Sequence, residues 1–221
     1  PINSAAFKKW FGDSKVVDED GAPRVLYHGT KNTFDAFEDG PLIFMSESAS
    51  EASSFANQPR RNAGEGVGPN VIPAYVSANV FDFRKSEHLE MLTNWLEKNS
   101  DAATEEDQTM GVEVGDMVVF DPVGGGVIGS LDQALHDAKR GDFALMESAG
   151  IVQEVVEENG FTGFTLTESG SLDDNINYAI FNSNQIKSVN NRGTFDSTNP
   201  NIRFSVARAM SDTQLHDEVK K

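Results

Sequence analysis

Four histidines, 35 carboxylates and no cysteine bound what chemistry this chain can do. Without cysteine, thiol nucleophiles, disulfides and cysteine-based zinc sites are excluded. His136 and His216 stand on polar helical or tail segments, with no second histidine or carboxylate at metal-ligand spacing. His88-Leu89-Glu90 lacks the partner histidine of a zinc-protease helix. A solvated or packing role is expected for these three. The cluster Gly124-Gly125-Gly126 is not followed by Lys-Ser/Thr, so it reads as a turn and not as a phosphate-binding loop. The carboxylates form no pair whose geometry the sequence reveals, so glycoside hydrolysis has no anchor. The run Glu105-Glu106-Asp107 reads as a solvated loop. His28 differs. It ends an apolar strand and is followed at once by Gly29 and Thr30, where a ring projects from a rigid edge beside backbone that a ligand can approach closely. The residues alone leave a ligand-binding role and a packing role equally open.

The elements that must hold His28 follow from periodicity and turn chemistry. Phe7, Trp10 and Phe11 fall at i, i+3, i+4 and predict a helix over Ala5 to Phe11, ended by Gly12-Asp13-Ser14. Val16-Val17, the turn Asp18 to Pro23 and Arg24 to Tyr27 predict a β-hairpin whose second strand runs into the loop His28-Gly29-Thr30. A short strand is expected over Leu42 to Met45 and an Ala/Ser-rich helix over Ser48 to Ala56. Strand and strand exit are expected over Val71 to Val80 and Phe81 to Phe83. Ser86 to Lys98 is amphipathic, with Leu89, Leu92, Trp95 and Leu96 on one face. Asn99 to Gln108 is acidic and reads as low in order, and Met117 to Phe120 as a strand. Helices are expected at Leu131 to Lys139 and Met146 to Asn159, the second closed by Gly160. Strands follow at Phe161 to Thr167 and Tyr178 to Phe181, on either side of the polar loop Glu168 to Asn177. Short strands mixed with helices, without regular βαβ alternation, indicate an α+β fold.

Composition narrows the partners. The chain has 221 residues, 18 Lys+Arg against 35 Asp+Glu, and a formal net charge of −17. Such a chain repels phosphate backbones, so broad electrostatic nucleic-acid binding is disfavoured, although a local basic patch is not excluded. Hydrophobic residues make up 38%, including 15 Phe, which suffices for a core at this length. No apolar run approaches the roughly 20 residues of a membrane span. The opening PINSAAFKKW is not a signal peptide. A soluble protein without a membrane partner is expected.

Tyr27-His28-Gly29-Thr30 opens an ordered series that resembles the ADP-ribosyltransferase superfamily, in its histidine–tyrosine–glutamate branch. The chain is most similar to the ADP-ribosyltransferase domains of phage polyvalent proteins and related toxins. The series starts with Ala6-Phe7-Lys8-Lys9-Trp10-Phe11 and the turn Val16 to Pro23. It resumes at Phe44-Met45-Ser46 and Ala52-Ser53-Ser54-Phe55-Ala56, then at Gly160 to Phe164 and Tyr178 to Ser188 with its Gln185-Ile186-Lys187-Ser188 ending. It closes with Asn191 to Asp196 and Asn199 to Ile202. Tyr-His-Gly-Thr alone is a weak signal; the ordered set is specific. The resemblance implies one domain over residues 1–205 with an insertion at about 99–143, and a polar tail or linker over 206–221. It also implies an α+β, ADP-ribosyltransferase-like split mixed β-core with flanking helices and an NAD cleft.

The implied activity is transfer of ADP-ribose from NAD⁺, a substrate, with no metal. Its transition state is dissociative and oxocarbenium-like, and nicotinamide leaves as a neutral ring. The protein must therefore position NAD, sandwich the nicotinamide and stabilise positive charge on the ribose. By the resemblance, His28 hydrogen-bonds a ribose hydroxyl, the Gly29 backbone pairs with the nicotinamide amide, and Thr30 supports the adenosine side. Tyr27 belongs to the same binding strand. Phe44 and Phe55 take the two faces of the nicotinamide, Phe supplying a π-face without a hydroxyl. Ser46 and Ser53 are the polar groups nearest this pocket. For Phe44 and Phe55 ordinary core packing is the alternative.

One position departs from the pattern. The family glutamate precedes the aromatic that opens the last strand, and here that position holds Asn177. Asparagine keeps a hydrogen bond to the ribose 2-hydroxyl but supplies no charge. A loss of about 3 kcal/mol, on the order of a hundredfold in rate, follows. A loop carboxylate (Asp173, Asp174 or Glu168) is a candidate substitute. The implied function is mono-ADP-ribosylation of a host macromolecule, a protein in preference to nucleic acid, by a phage-delivered or toxin-like effector acting in the host cytoplasm. The alternatives are an NAD glycohydrolase, a catalytically inactive module that binds NAD or a partner, and a structural piece of a virion.

Overall fold

The computed structural model describes residues 2–38, 42–58, 68–107, 112–121, 126–143, 150–167, 175–193 and 195–203. The chain divides into two compact units, one of residues 1–78 with 180–221 and the other of residues 79–179. Strands and helices mix in both, as an α+β fold requires. No helix among the described residues is long and apolar enough to cross a membrane.

The first unit opens with α1 (Ala5–Phe11), capped by the Ser4 hydroxyl accepting from the Phe7 N–H at 3.1 Å. Its buried stripe is the one expected: Phe7, Trp10 and Phe11. Phe7 stacks on Phe11 at 5.3 Å and meets Tyr75 and Phe195 edge-on at 5.1 and 5.2 Å. Phe195 reaches this cluster from a left-handed backbone, φ 53°. Burial of its ring offsets the roughly 1–2 kcal/mol which that conformation costs a residue with a Cβ.

Four strands of this unit lie in the order β10 (Ile186–Ser188), β3 (Asn70–Val76), β1 (Leu26–Thr30) and β2 (Ile43–Ser46). All three pairings are antiparallel. The expected hairpin is replaced by a smaller feature. Val17 and Pro23 form a single bridge around a turn in which the Asp18 carboxylate accepts from Asp20 and Ala22. The β1 strand starts later than expected and continues through His28, Gly29 and Thr30, because β3 offers them partners: His28 lies opposite Ile72, Gly29 opposite Val71 and Thr30 opposite Asn70. Helix α2 (Ala49–Asn57) packs on β1 and β2.

The second unit carries β4 (Val80–Phe81), which pairs in parallel with β8 (Gly163–Thr167), and β9 (Ile176–Ile180) on the other side of β8. A separate antiparallel sheet has the order β5 (Ser100–Ala102), β6 (Met117–Phe120), β7 (Val127–Ser130). It falls within residues 99–143, as does α4 (Leu131–Arg140). The acidic stretch after Asn99 is thus a strand followed by a 3-10 turn at Glu105–Asp107, where low order was expected. Its polar residues give no apolar alternation, and β6 supplies the partner. Helix α3 (Ser86–Lys98) has its predicted bounds. The last helix, α5 (Ile151–Glu158), starts after Gly150; the four positions before Gly150 that were also expected to be helical lie outside the described residues. Asn159 is its C-cap and Gly160 follows at φ 76°, the left-handed residue a helix end favours. After α4, Gly141 sits at φ 70°, and a Cβ there would lie 2.5–2.7 Å from the Phe83 ring, so only glycine fits.

Candidate active site

The expected site residues of the first unit are brought together by two strands and one helix. Tyr27 of β1 pairs with Ser46 of β2. The His28 ring donates from Nδ1 to the Phe44 main-chain carbonyl at 2.8 Å. A carbonyl only accepts, so this bond puts the proton of a neutral imidazole on Nδ1 and makes Nε2 an acceptor. The ring is further fixed edge-to-face on Phe37 at 4.9 Å and Phe34 at 6.2 Å, which pack on each other at 4.8 Å.

Gly29 is where α2 comes closest to the sheet. A Cβ built there would overlap the Ala52 carbonyl oxygen and crowd the Ala56 N–H. The buried residues of α2 are Ala52 and Ala56, the small side chains this approach needs. Thr30 ends the strand with its hydroxyl accepting from the Asn32 N–H at 3.1 Å.

Phe44 is 39% exposed although its neighbours Ile43, Met45 and Ser46 are buried. An exposed aromatic between buried residues of a short strand is an available stacking face. Phe55 is half-buried on α2. Ser53, also half-buried, accepts from the Asn57 side-chain amide through its main-chain carbonyl at 2.7 Å. Ser46 is buried and links β2 to α2. Its hydroxyl accepts from the Ser48 N–H at 3.0 Å and donates to the Glu51 carboxylate at 2.7 Å. Ser48 caps α2 by accepting from the Glu51 N–H. Glu51 was missed in the sequence, although Ser48-x-x-Glu51 has the spacing of a capping box. Here the box is relayed through Ser46, and β2 is thereby tied to the first turn of α2.

Asn177 belongs to the second unit, is the second residue of β9, and is 3% exposed between the buried Ile176 and Tyr178. The loop carboxylates Glu168, Asp173 and Asp174 lie outside the described residues, as does the tail after Arg203. Among the described residues no group of three or more His, Asp or Glu side chains is arranged to hold a metal ion.

The closing motif supports His28 from behind. Lys187 is fully buried, and its ammonium donates to the Asn199 carbonyl and, at 3.1 Å, to the Asn201 carbonyl. Burial pulls its pKa down to about 8, opposed by the nearby Asp196 carboxylate. The Asn191 side chain donates to the Ile202 carbonyl at 3.0 Å, and Ser188 N–H to the same oxygen at 2.8 Å. The stretch held in this way bridges Asn201 to Ala36, and Ile202 N–H donates to the Asp35 carbonyl at 2.7 Å. Asp35 and Ala36 lie between Phe34 and Phe37, the two rings against His28. The Gln-Ile-Lys-Ser and Asn-Pro-Asn-Ile motifs thus fix the wall on which the histidine rests.

No curated protein and no solved structure matches the chain significantly. The model of one family does, the family described as ADP-ribosyltransferase in polyvalent proteins, over residues 18–195. That span runs from the turn before β1 through Phe195 and includes Tyr27, His28, Gly29, Thr30, Phe44, Ser46, Ser53, Phe55 and Asn177, but not the closing stretch Asn199 to Ile202. The chain therefore belongs to the family of ADP-ribosyltransferases found in polyvalent proteins.

Proposed function

We propose that this ADP-ribosyltransferase uses NAD⁺ to mono-ADP-ribosylate a host macromolecule, a protein in preference to nucleic acid, as a phage-delivered or toxin-like effector. The family as a whole uses NAD⁺ as substrate. The observation that carries the reading is the His28–Phe44 hydrogen bond. It fixes the imidazole in the tautomer whose Nε2 accepts, the form suited to a ribose hydroxyl donor. The Gly29 backbone is assigned to the nicotinamide amide, and Phe44 and Phe55 to the two ring faces. Thr30 and Tyr27 belong to the same strand, Thr30 on the adenosine side.

In the reaction the C1′–N bond of NAD⁺ breaks and its electron pair leaves with the ring, so cationic nicotinamide departs neutral. The developing charge sits on the ribose, and the acceptor's lone pair then closes on C1′ while its proton passes to solvent. Little acid catalysis is required; orientation and electrostatic stabilisation carry the rate. Asn177 holds a ribose hydroxyl without adding charge, which supports slow, single transfers over chain elongation. The same residue favours a second reading, an NAD-binding module without turnover.

The test is incubation of the purified protein with labelled NAD⁺ and a host lysate, following nicotinamide release and label transfer together. Asn177→Glu is expected to raise release by about a hundredfold, equivalent to about 3 kcal/mol. Release without transfer would indicate a glycohydrolase. Activity only in Asn177→Glu would indicate the inactive module, and silence of both proteins despite saturable NAD⁺ binding would overturn the transferase reading.

A further inference from the structure

A cavity of about 610 Å³ lies in the first unit, between β3 and the stretch that follows β10. Asn70, Val71, Pro73, Asn190, Arg192 and Arg203 line it, and none of the residues assigned to NAD⁺ does. Its form follows from where β10 stops. Alternate residues of an antiparallel strand turn their N–H and C=O to opposite neighbours. The Pro73 carbonyl accepts from the Val189 N–H at 3.1 Å, and the Ser77 N–H donates to the Gln185 carbonyl at 2.8 Å, so the odd-numbered residues along β3 face β10. Strand β10 ends at Ser188, opposite Ala74. The Val71 N–H is turned the same way and points past that end, toward the cavity. The two arginines stand on a fixed frame. The Arg192 N–H donates to the Arg203 carbonyl at 3.2 Å, and the Arg203 N–H to the Asn201 side chain at 2.9 Å. Arg24 and Arg84 are held by carboxylates at 2.9 and 2.8 Å. Among the described residues Arg192 forms no ion pair, and Arg203 meets the exposed Asp35 carboxylate at a long 3.5 Å, a contact worth little in water. No carboxylate is among the described residues that line the cavity.

We propose that this cavity binds the phosphate group of a small phosphorylated ligand of about nucleotide size, at a site separate from that for NAD⁺. One guanidinium fork satisfies the two oxygens of a carboxylate, whereas a phosphate has oxygens enough for two forks and a peptide N–H at once. The volume falls within the roughly 300–1,000 Å³ of small-molecule sites, and a phosphate alone fills only part of it. The ligand therefore carries a body, for which Val71 and Pro73, half-buried on one face of β3, supply an apolar wall. A net charge of −17 repels an extended polyanion, while a single phosphate answers to the local field of the two arginines, so a small ligand is favoured over a nucleic acid. Asn70 lies opposite Thr30, which makes the phosphates of NAD⁺ the nearest competing source. The order β10-β3-β1-β2 argues against them, because β10 and β2 stand on opposite sides of the β3–β1 pair. The proposal does not rest on the NAD⁺ reading.

The experiment is calorimetric titration of the full chain at low ionic strength with inorganic pyrophosphate, with uridine monophosphate and with uridine. Wild type is expected to bind both phosphorylated probes saturably, and uridine at least about tenfold more weakly. Arg192→Gln and Arg203→Gln are each expected to weaken both probes about tenfold. Arg192→Lys, which keeps the charge and loses the fork, should recover only part of that. Arg84→Gln removes one positive charge from the second unit and should bind as wild type does. Saturating NAD⁺ should leave the affinity for uridine monophosphate unchanged. Absence of saturable binding would overturn the proposal, as would equal losses in Arg84→Gln, which would reduce the effect to net charge. Displacement of the probes by NAD⁺, with NAD⁺ itself bound more weakly by Arg192→Gln, would give the cavity to the dinucleotide's own phosphates and sink the separate site. An oligouridylate that binds more tightly than the mononucleotide would overturn the choice of a small ligand.

Discussion

The imidazole of His28 is hydrogen-bonded through Nδ1 to the main-chain carbonyl of Phe44, 16 residues further along, and this one bond sets both the tautomer of the histidine and its strand-to-strand position. Because the acceptor is backbone, the constraint survives any side-chain change at Phe44. His28→Ala is expected to lower nicotinamide release by about a hundredfold while destabilising the fold by only about 1 kcal/mol, the net worth of one hydrogen bond. Phe44→Ala should instead weaken NAD⁺ binding and leave the Nδ1–H tautomer intact. Nitrogen chemical shifts of the imidazole, read alongside the release assay, check both.

Gly29 and Ala52 hold the helix against the strand with no room for a methyl group. Gly29→Ala must push α2 away from β1, and overpacking of this kind costs about 1–3 kcal/mol. The expected result is a thermal midpoint lower by several degrees together with loss of NAD⁺ binding. Ala substitution at Gly21, where a Cβ meets no atom within 4 Å but φ is 78°, serves as the comparison: it strains the backbone far from the site and should leave NAD⁺ affinity unchanged.

Lys187 ties a pH dependence to the wall behind His28. Its pKa falls from the ordinary 10.5 to about 8 on folding, chiefly because burial penalises the ammonium. Below about pH 8 the group is charged in both states and the penalty is present in full. Between about 8 and 10.5 the unfolded chain keeps a proton that the folded chain has released, so stability rises with pH across that window. Denaturant melts from pH 7.5 to 10.5 should show this slope in wild type relative to Lys187→Met. Two superimposable pH profiles would mean that Lys187 titrates normally.

His88, in the second unit, behaves in the opposite pH range. Its Nδ1 accepts from the Asp82 N–H at 2.8 Å, and the ring packs between Phe81 and Phe161. Burial lowers its pKa below the ordinary 6.5, helped by Lys85 and opposed by Glu87 and Asp82. The folded state therefore resists protonation. The stability it contributes is full above about pH 6.5 and is lost as pH falls through the folded pKa. Proton spectra of the histidine rings should show His88 titrating below the ordinary 6.5.

Elements with a strong local period were legible in full. The helices at Ala5–Phe11 and Ser86–Lys98 and the strand at Met117–Phe120 have their predicted bounds, because an apolar stripe or apolar run and a breaker lie in the same few residues. Elements that depend on a distant partner were not. The polar strand Ser100–Ala102 exists because Met117–Phe120 pairs with it, and Ile186–Ser188 because Asn70–Val76 does. The extension of the first strand through His28 and Gly29 has the same cause, since Ile72 and Val71 satisfy a backbone that the local sequence marks as a loop.

The sequence by itself determined the family, through an ordered set of short motifs, and with it the residues proposed for the site: Tyr27, His28, Gly29, Thr30, Phe44, Ser46, Ser53, Phe55 and Asn177. It also determined where α1 and α3 begin and end, since helix formation depends on neighbours three and four residues away. Only the tertiary structure decided which tautomer His28 adopts, why residue 29 must be glycine, what the buried Lys187 holds in place, and that Glu51 accepts from Ser46 across β2 and α2. Each of these is settled by a group 11 or more residues away along the chain, or by a strand-to-helix contact, and a local pattern of residue types carries no record of distances that exist only after the chain has folded.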